Sequence, residues 1–158
     1  MDPEQLYETC FMQVYSYVIT LCRDRQTAEE ITEETFFRAM TAGDASRFRN
    51  EADEKTWLCS IARNLFYDEM RRWKRVSPLP DDLVSGDDAA ADAEDRDLSL
   101  RIHRVLHTLD EPYKEVFGLR VFGELSFAQI GALFGKTETW ARVTYHRARL
   151  KIKERMES

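Results

Sequence analysis

Several features that identify whole classes of protein are absent from this 158-residue sequence. No apolar run approaches the roughly 20 residues of a membrane-spanning helix. The first residues, Met1 to Glu4, lack the basic and apolar parts of a secretory signal, so we expect a cytoplasmic protein. The cysteines, Cys10, Cys22 and Cys59, are odd in number and widely spaced, which favours reduced thiols packed in a core over disulfides or a zinc site.

Glycine and proline are also scarce, with 6 and 4 residues, which predicts few tight turns and many helices. The 43% of hydrophobic residues is enough for a folded core, so we expect an all-α protein. No glycine-rich phosphate loop or catalytic triad is present. His103 and His107 have the spacing of metal ligands but no further ligands nearby, so we expect no metal site.

The net charge of −6 argues, taken whole, against a nucleic-acid-binding protein. The charges are unevenly spread, however. Residues 1–75 hold 11 basic and 14 acidic residues, 76–98 hold 1 and 8, and 99–158 hold 11 and 7. The acidic middle stretch contains Pro78, Pro80 and Gly86 and few large apolar residues. It predicts a flexible linker between two small helical domains.

The first domain is predicted to be a bundle of three helices. An apolar stripe from Leu6 to Leu21 has helical spacing, and Thr27 with Glu30 fits a capping box at the start of a second helix that reaches about Thr41. Residues 43–53 lack a stable period and are predicted to be a loop. A third helix is expected from about Glu54 to Arg75, because Pro78 prevents its continuation.

The second domain is predicted to contain a helix-turn-helix. An apolar stripe over residues 98–109 precedes a helix over residues 113–122, which begins after Pro112. Ser126 and Gln129 fit a capping box for a short helix, and Gly135 suits the following turn. The last helix, about residues 137–156, is strongly basic, as a helix that enters the DNA major groove requires.

Three motifs resemble those of the bacterial extracytoplasmic-function (ECF) sigma factors. They are residues 28–39 (AEEITEETFFRA), residues 56–64 (TWLCSIARN) with Asp68 and Arg71-Arg72, and residues 125–131 (LSFAQIG) with 145–149 (YHRAR). The resemblance implies two all-α domains, sigma region 2 over 1–75 and region 4 over 99–158, joined by the linker 76–98. It implies as partners core RNA polymerase, promoter DNA and an anti-sigma factor, which in this family is often membrane-bound. It also implies a protein with no enzymatic activity, no cofactor and no small-molecule substrate.

The resemblance also implies which side chains bind. Glu30, Glu33, Glu34 and Arg38 would contact the coiled coil of the polymerase clamp. The loop and helix that match the −10 reader would bind an extruded base and the DNA backbone. Its candidate contacts are Arg49, Asn50, Lys55, Arg63, Asn64, Tyr67, Asp68, Arg71 and Arg72. The candidate −35 contacts are Lys136, Thr137, Thr139, Arg142, Val143, His146, Arg147 and Arg149.

Two other functions fit parts of the sequence. A DNA-binding regulator would use only the second domain, with the first domain serving dimerisation, and would bind duplex DNA specifically without polymerase. A helical adaptor would bind proteins only, against which the basic last helix argues. Transcription with core polymerase distinguishes the three.

Overall fold

The computed structural model describes residues 3–22, 24–41, 51–76 and 93–157, and over these ranges it contains seven α-helices and no strand. The helices are α1 Pro3–Leu21, α2 Arg25–Thr41, α3 Glu51–Val76, α4 Ala93–Thr108, α5 Tyr113–Val121, α6 Phe127–Phe134 and α7 Glu138–Glu157. The predicted all-α fold is confirmed.

The helices α1, α2 and α3 pack against one another, and we call them the N-terminal bundle. The stripe predicted for the first helix is buried, because helical periodicity returns its side chains to one face. Its members are Leu6, Cys10, Val14, Tyr17, Val18 and Leu21. All three cysteines are buried and unpaired by disulfides, as predicted, and burial raises the pKa of Cys22 and Cys59 to about 12.

The start of α2 differs from the prediction. The helix begins at Arg25, and Asp24 rather than Thr27 supplies the cap. The Asp24 carboxylate accepts hydrogen bonds from the backbone N–H groups of Gln26 and Thr27, each at 3.3 Å. It also accepts a hydrogen bond from the Thr27 hydroxyl at 2.7 Å. The expected capping box was wrong because an aspartate three residues earlier satisfies the same free N–H groups.

α3 begins at Glu51, so the end of the predicted loop, 51–53, is helical. This stretch holds no glycine or proline to interrupt a helix. The rest of that predicted loop lies outside the described residues. The helix ends at Val76, two residues before Pro78, in agreement with the expected stop.

The predicted linker also lies largely outside the described residues. Residues 93–98 are an exception, because they belong to α4, which starts before the apolar stripe that predicted it. That segment, like the start of α3, contains neither glycine nor proline. We call α4 to α7 the C-terminal bundle.

Helices α6 and α7 form the predicted helix-turn-helix. The Ser126 hydroxyl accepts from the Gln129 N–H at 3.1 Å, and the Gln129 side chain accepts from the Ser126 N–H at 2.8 Å, which confirms the capping box. Gly135 follows in the left-handed region with φ +68°. On α7, Ala141, Ala148 and Ile152 are buried.

The two bundles share one hydrophobic core. Val116 and Leu119 of α5 are fully buried together with the α1 stripe, and Leu125 and Ile130 join them. Gly118 of α5 packs directly against the Thr20 side chain of α1, since a Cβ added at Gly118 would lie 2.5 Å from Thr20 Oγ1. A glycine at position 118 therefore permits this packing.

The turn of the helix-turn-helix generates a prediction for Gly131. A Cβ at this position would lie 2.6 Å from the carbonyl oxygen of Thr137, which is backbone and cannot rotate away. We expect Gly131→Ala to lower the free energy of unfolding by about 1–3 kcal/mol through overpacking, as measured by urea denaturation. The exposed neighbour Ala132, changed to Ser, is the control and should shift stability by less than about 0.5 kcal/mol. Equal stability of the two variants would contradict this view of the turn.

Candidate polymerase and nucleic-acid interfaces

One face of α2 is charged and exposed. The structure places all four predicted polymerase contacts on it: Glu30, Glu33, Glu34 and Arg38. Glu34 and Arg38 form an ion pair of 3.1 Å one helical turn apart. Glu30 accepts a hydrogen bond from Gln26 at 3.3 Å. The opposite face of the helix is buried in the N-terminal bundle, so these charges face away from it.

Two large apolar side chains interrupt this charged face. Phe37 is 61% exposed and Met40 is 42% exposed, whereas the neighbouring Phe36 is buried. The sequence interpretation missed them as candidate contacts. The signal was available, because the buried stripe of α2 runs through residues 28, 31, 32, 35, 36 and 39, and positions 37 and 40 fall outside it. Exposed aromatic and methionine side chains are typical of protein interfaces.

The predicted −10 contacts divide into three groups. Arg49 and Asn50 lie outside the described residues. An exposed group on α3 consists of Asn64, Asp68, Arg71 and Arg72. In that group Arg71 pairs with Asp68, and Arg72 pairs with Glu69 at 3.2 Å, so the two arginines are held along the helix surface.

The third group, Lys55, Arg63 and Tyr67, is only partly exposed, because its side chains contact the C-terminal bundle. The Lys55 ammonium lies 4.0 Å from the carboxylate of Glu124, and its side chain is 17% exposed. The guanidinium carbon of Arg63 lies 4.8 Å from the ring centre of Phe134 on α6, in cation–π range. These side chains therefore lie between the bundles.

A buried carboxylate, Glu115 of α5, accepts hydrogen bonds from two members of this group, Arg63 and Tyr67. Arg63 donates to it from Nε at 2.6 Å and from Nη2 at 3.4 Å. The hydroxyls of Tyr67 and Tyr17 donate at 2.8 and 3.3 Å. Glu115 is 2% exposed. All the donors come from the N-terminal bundle, so the carboxylate is satisfied across the boundary between the two bundles.

The ionisation of the donors reflects this arrangement. Burial is the main cause that raises the pKa of Tyr17 well above its ordinary value, and the negative charge of Glu115 is the second. The same two causes, in the same order, raise the pKa of Tyr67. Burial alone would lower the pKa of Arg63, but the hydrogen bonds and charge of Glu115 raise it overall. The tyrosines thus stay protonated as donors, and Arg63 stays a cation.

The sequence interpretation did not identify Glu115. A signal was present, because Pro112, Glu115, Val116 and Leu119 share one helical face, and an acid on an otherwise apolar face requires a partner when buried. The partners could not be found from sequence, since they lie about 50 and 100 residues away in the chain.

The predicted −35 contacts form a continuous exposed surface on α7 and the turn before it. They are Lys136, Thr137, Thr139, Arg142, Val143, His146, Arg147 and Arg149. The Thr137 hydroxyl accepts from the Trp140 N–H at 3.0 Å and so caps α7. Arg142 pairs with Glu138 at 3.0 Å, and its guanidinium carbon lies 5.3 Å from the ring centre of Phe127. These two contacts hold the guanidinium close to the helix.

Among the described residues no group of side chains could hold a metal ion, and none of the described helices is long and apolar enough to cross a membrane.

Comparison with known proteins identifies the family. Residues 6–76 match the sigma-70 region 2 family, and residues 99–152 match the sigma-70 region 4 family. The chain belongs to the ECF class of RNA polymerase sigma factors. The two matches leave unmatched the acidic segment that separates them.

Curated relatives align over nearly the whole chain. The ECF RNA polymerase sigma factor SigM of Bacillus subtilis is 24% identical and covers 97% of this chain and 94% of its own length. RNA polymerase sigma factor YlaC of the same organism is 28% identical, and the alignment covers 97% of this chain and 91% of YlaC. RNA polymerase sigma factor CarQ of Myxococcus xanthus is 29% identical, and the alignment covers 96% of this chain and 87% of CarQ.

Solved structures share the fold. The sigma factor RpoE from Bartonella quintana, in complex with the anti-sigma factor NepR, superposes with a TM-score of 0.73 at 19% identity, covering 98% of this chain and 96% of that one. CnrH in complex with the cytosolic domain of CnrY gives a TM-score of 0.67 at 20% identity, covering 98% and 87%. Both similarities extend across α1 to α7.

We expect the stability of the protein to depend on pH through the carboxyl group of Glu111. Burial, and then the charge of Glu115, raises the pKa of Glu111 from its ordinary 4.5 to about 7, against the attraction of Lys114, whose Nζ lies 3.5 Å away. A carboxyl with a raised pKa contributes stability that is fully present below about pH 4.5 and is lost as the pH rises through about 7.

We therefore expect the free energy of unfolding to fall more between about pH 5 and pH 8 for the wild type than for Glu111→Gln. The difference should stay below about 1 kcal/mol, because the Glu111 side chain is 41% exposed and solvent screens its charge. Urea denaturation at each pH measures it. Identical pH slopes in the two proteins would contradict the shifted ionisation.

Proposed function

We propose that this protein is a sigma factor that binds core RNA polymerase and directs it to promoters by contacting their −10 and −35 elements. One observation carries the proposal: both sigma regions occur in one chain, each with an exposed helical face of suitable chemistry. A regulator that acts without polymerase would not need the first region, so the match over residues 6–76 favours the sigma factor.

Polymerase binding is assigned to α2. Its exposed carboxylates and Arg38 supply charge complementarity, while Phe37 and Met40 supply apolar area that leaves water on binding. The contact surface so defined is charged at its rim and apolar at its centre. Interfaces of this composition are stabilised mainly by a few buried aromatic anchors.

Promoter recognition is assigned to α3 and α7. The basic face of α7 would enter the major groove, where Arg142 and His146 can reach base edges and Arg147 can contact phosphate. On α3, Asn64 can read a base edge of the opened −10 strand, and Arg63, Tyr67 and Arg71 would hold its bases and backbone by stacking and charge.

The chain would act without chemistry of its own, through association and capture of unpaired bases. An anti-sigma factor is the proposed inhibitor. Support comes from the two similar structures, in each of which the sigma factor or its homologue is bound to another polypeptide, described for RpoE as an anti-sigma factor.

Transcription in vitro tests the proposal. Core polymerase with this protein should produce transcripts from promoters selected out of a random DNA library, and core polymerase alone should not. The absence of any transcript that depends on this protein would overturn the proposal. Specific binding to duplex DNA in that case would support the regulator instead.

The major-groove assignment predicts the effect of reversing two charges on α7. Arg142→Glu/Arg147→Glu should reduce promoter-dependent transcription by about tenfold or more, since each lost DNA contact costs about 1–3 kcal/mol. Affinity for core polymerase should stay unchanged in a pull-down titration. Arg104→Glu, an exposed charge reversal on α4, is the control and should transcribe normally. Undiminished transcription by the double variant would refute the assignment.

The apolar centre of the α2 face predicts a separate loss. Phe37→Ala should weaken binding to core polymerase by about tenfold, because truncating an aromatic anchor at an interface costs more than about 1 kcal/mol. Stability should change by less than about 0.5 kcal/mol, since the side chain is 61% exposed. Val121→Ala removes an exposed apolar side chain from α5 and should bind normally. Wild-type affinity of Phe37→Ala would remove this residue from the interface.

A further inference from the structure

One aromatic side chain of the helix-turn-helix lies beside the −35 surface without belonging to it. Phe127 is the first residue of α6 and comes directly after the cap at Ser126. The reciprocal hydrogen bonds between Ser126 and Gln129, at 3.1 and 2.8 Å, fix the backbone at this point. The ring is half-buried against the hydrophobic core, so the fold itself sets its position.

The Phe127 ring contacts both side chains that the proposed function assigns to base readout. The guanidinium carbon of Arg142 lies 5.3 Å from the ring centre, in cation–π range. The ring centre of His146 lies 6.4 Å away and that of Tyr145 lies 5.6 Å away, within the range of aromatic pairs. Phe127 is therefore a contact that Arg142 and His146, one helical turn apart on α7, have in common.

The same ring is also held from α5. The guanidinium carbon of Arg120 lies 4.2 Å from the Phe127 ring centre, and Arg120 Nη1 donates a hydrogen bond to the carbonyl oxygen of Leu125 at 3.1 Å. Leu125 is fully buried and lies in the segment that leads into α6. These contacts connect α5, the start of α6 and the exposed face of α7 through one ring.

The ring can hold Arg142 in a way that the neighbouring carboxylate cannot. Arg142 Nη2 donates to Glu138 at 3.0 Å, and this ion pair occupies a donor that could otherwise read a base. The pair is about half exposed, so solvent and salt weaken it. An aromatic ring attracts the face of a guanidinium and leaves the N–H groups in its plane free for hydrogen bonds. Phe127 can therefore orient Arg142 without using the groups that contact DNA.

We propose that Phe127 is a positioning residue that sets the base specificity of −35 recognition, because its ring orients Arg142 and His146 toward the base edges of the major groove. The proposal rests on the proposed function, since it takes these two side chains to be base contacts. Ordering them in advance reduces the conformational entropy that DNA binding removes. It also favours the bases that fit this one geometry, so losing the ring lowers base discrimination more than overall binding.

Three substitutions separate the chemistry of the ring from its volume. Phe127→Leu removes the ring and keeps an apolar side chain, and Phe127→Met does the same with a flexible one. Phe127→Tyr keeps the ring. Phe122→Leu is the matched control, because it removes another half-buried ring of the C-terminal bundle, one that stacks on His103 of α4 with 5.3 Å between the ring centres.

The assay uses holoenzyme formed from core polymerase and each variant, and it measures transcription from a selected promoter and from single-base variants of its −35 element. Arg142→Ala and His146→Ala first identify the base positions that these side chains read. At those positions Phe127→Leu and Phe127→Met should reduce the preference for the selected base by about fivefold, the size expected for one or two exposed cation–π and aromatic contacts. Phe127→Tyr and Phe122→Leu should keep the wild-type preference at every position.

Combined variants show whether the ring acts through the two readers. In a protein that already carries Arg142→Ala and His146→Ala, Phe127→Leu should cause no further loss of base discrimination. Combined with Arg147→Ala, which removes a proposed phosphate contact from the same helix, the effect of Phe127→Leu should be additive.

Wild-type base preference in Phe127→Leu and Phe127→Met would overturn the proposal. A uniform loss of transcription across all −35 variants would also overturn it, since a ring that only stabilises the helix-turn-helix has that effect. Circular dichroism checks that each variant is folded. In the free wild type, NMR should show nuclear Overhauser contacts from the Phe127 ring to Arg142 and His146, and their absence would refute the orienting contact without any variant. A wild type that supports no transcription would count against the proposed function, whereas an active wild type with an unchanged Phe127→Leu profile would count against the ring alone.

Discussion

The buried carboxylate of Glu115 is the constraint on which the arrangement of the two bundles depends. A charge that is 2% exposed must be paired, and Arg63, Tyr67 and Tyr17 pair it from the other bundle. These contacts hold the two helical bundles together around a shared core. The same interaction engages Arg63 and Tyr67, two of the predicted −10 contacts, whereas the charged face of α2 and the basic face of α7 are exposed.

The predicted interfaces therefore differ in accessibility. The predicted polymerase-binding face of α2, around Phe37, is exposed. Two of the predicted −10 contacts, Arg63 and Tyr67, instead donate hydrogen bonds to Glu115.

Much of the secondary structure could be predicted from the sequence, because helices, caps and turns depend on local patterns. The stripe from Leu6 to Leu21, the Ser126 capping box and the turn at Gly135 each depend on neighbouring residues, and each is confirmed. The cap of α2 was predicted wrongly, since Asp24 and Thr27 both fit the pattern and only the structure distinguishes them. The packing of the bundles could not be predicted, because Glu115 finds its partners about 50 and 100 residues away. The DNA and polymerase contacts stay predictions.

A distance between the bundles tests the central claim most directly. Spin labels on cysteines introduced at the exposed Met12 of α1 and Leu150 of α7 would report it, since the native thiols are buried and those of Cys22 and Cys59 have a pKa of about 12, which leaves them unreactive near neutral pH. We expect one narrow distribution in the wild type and a broader one, extending to longer distances, when Glu115→Gln removes the charge that Arg63 pairs. A broad distribution in the wild type, or one that Glu115→Gln leaves unchanged, would contradict this role of Glu115.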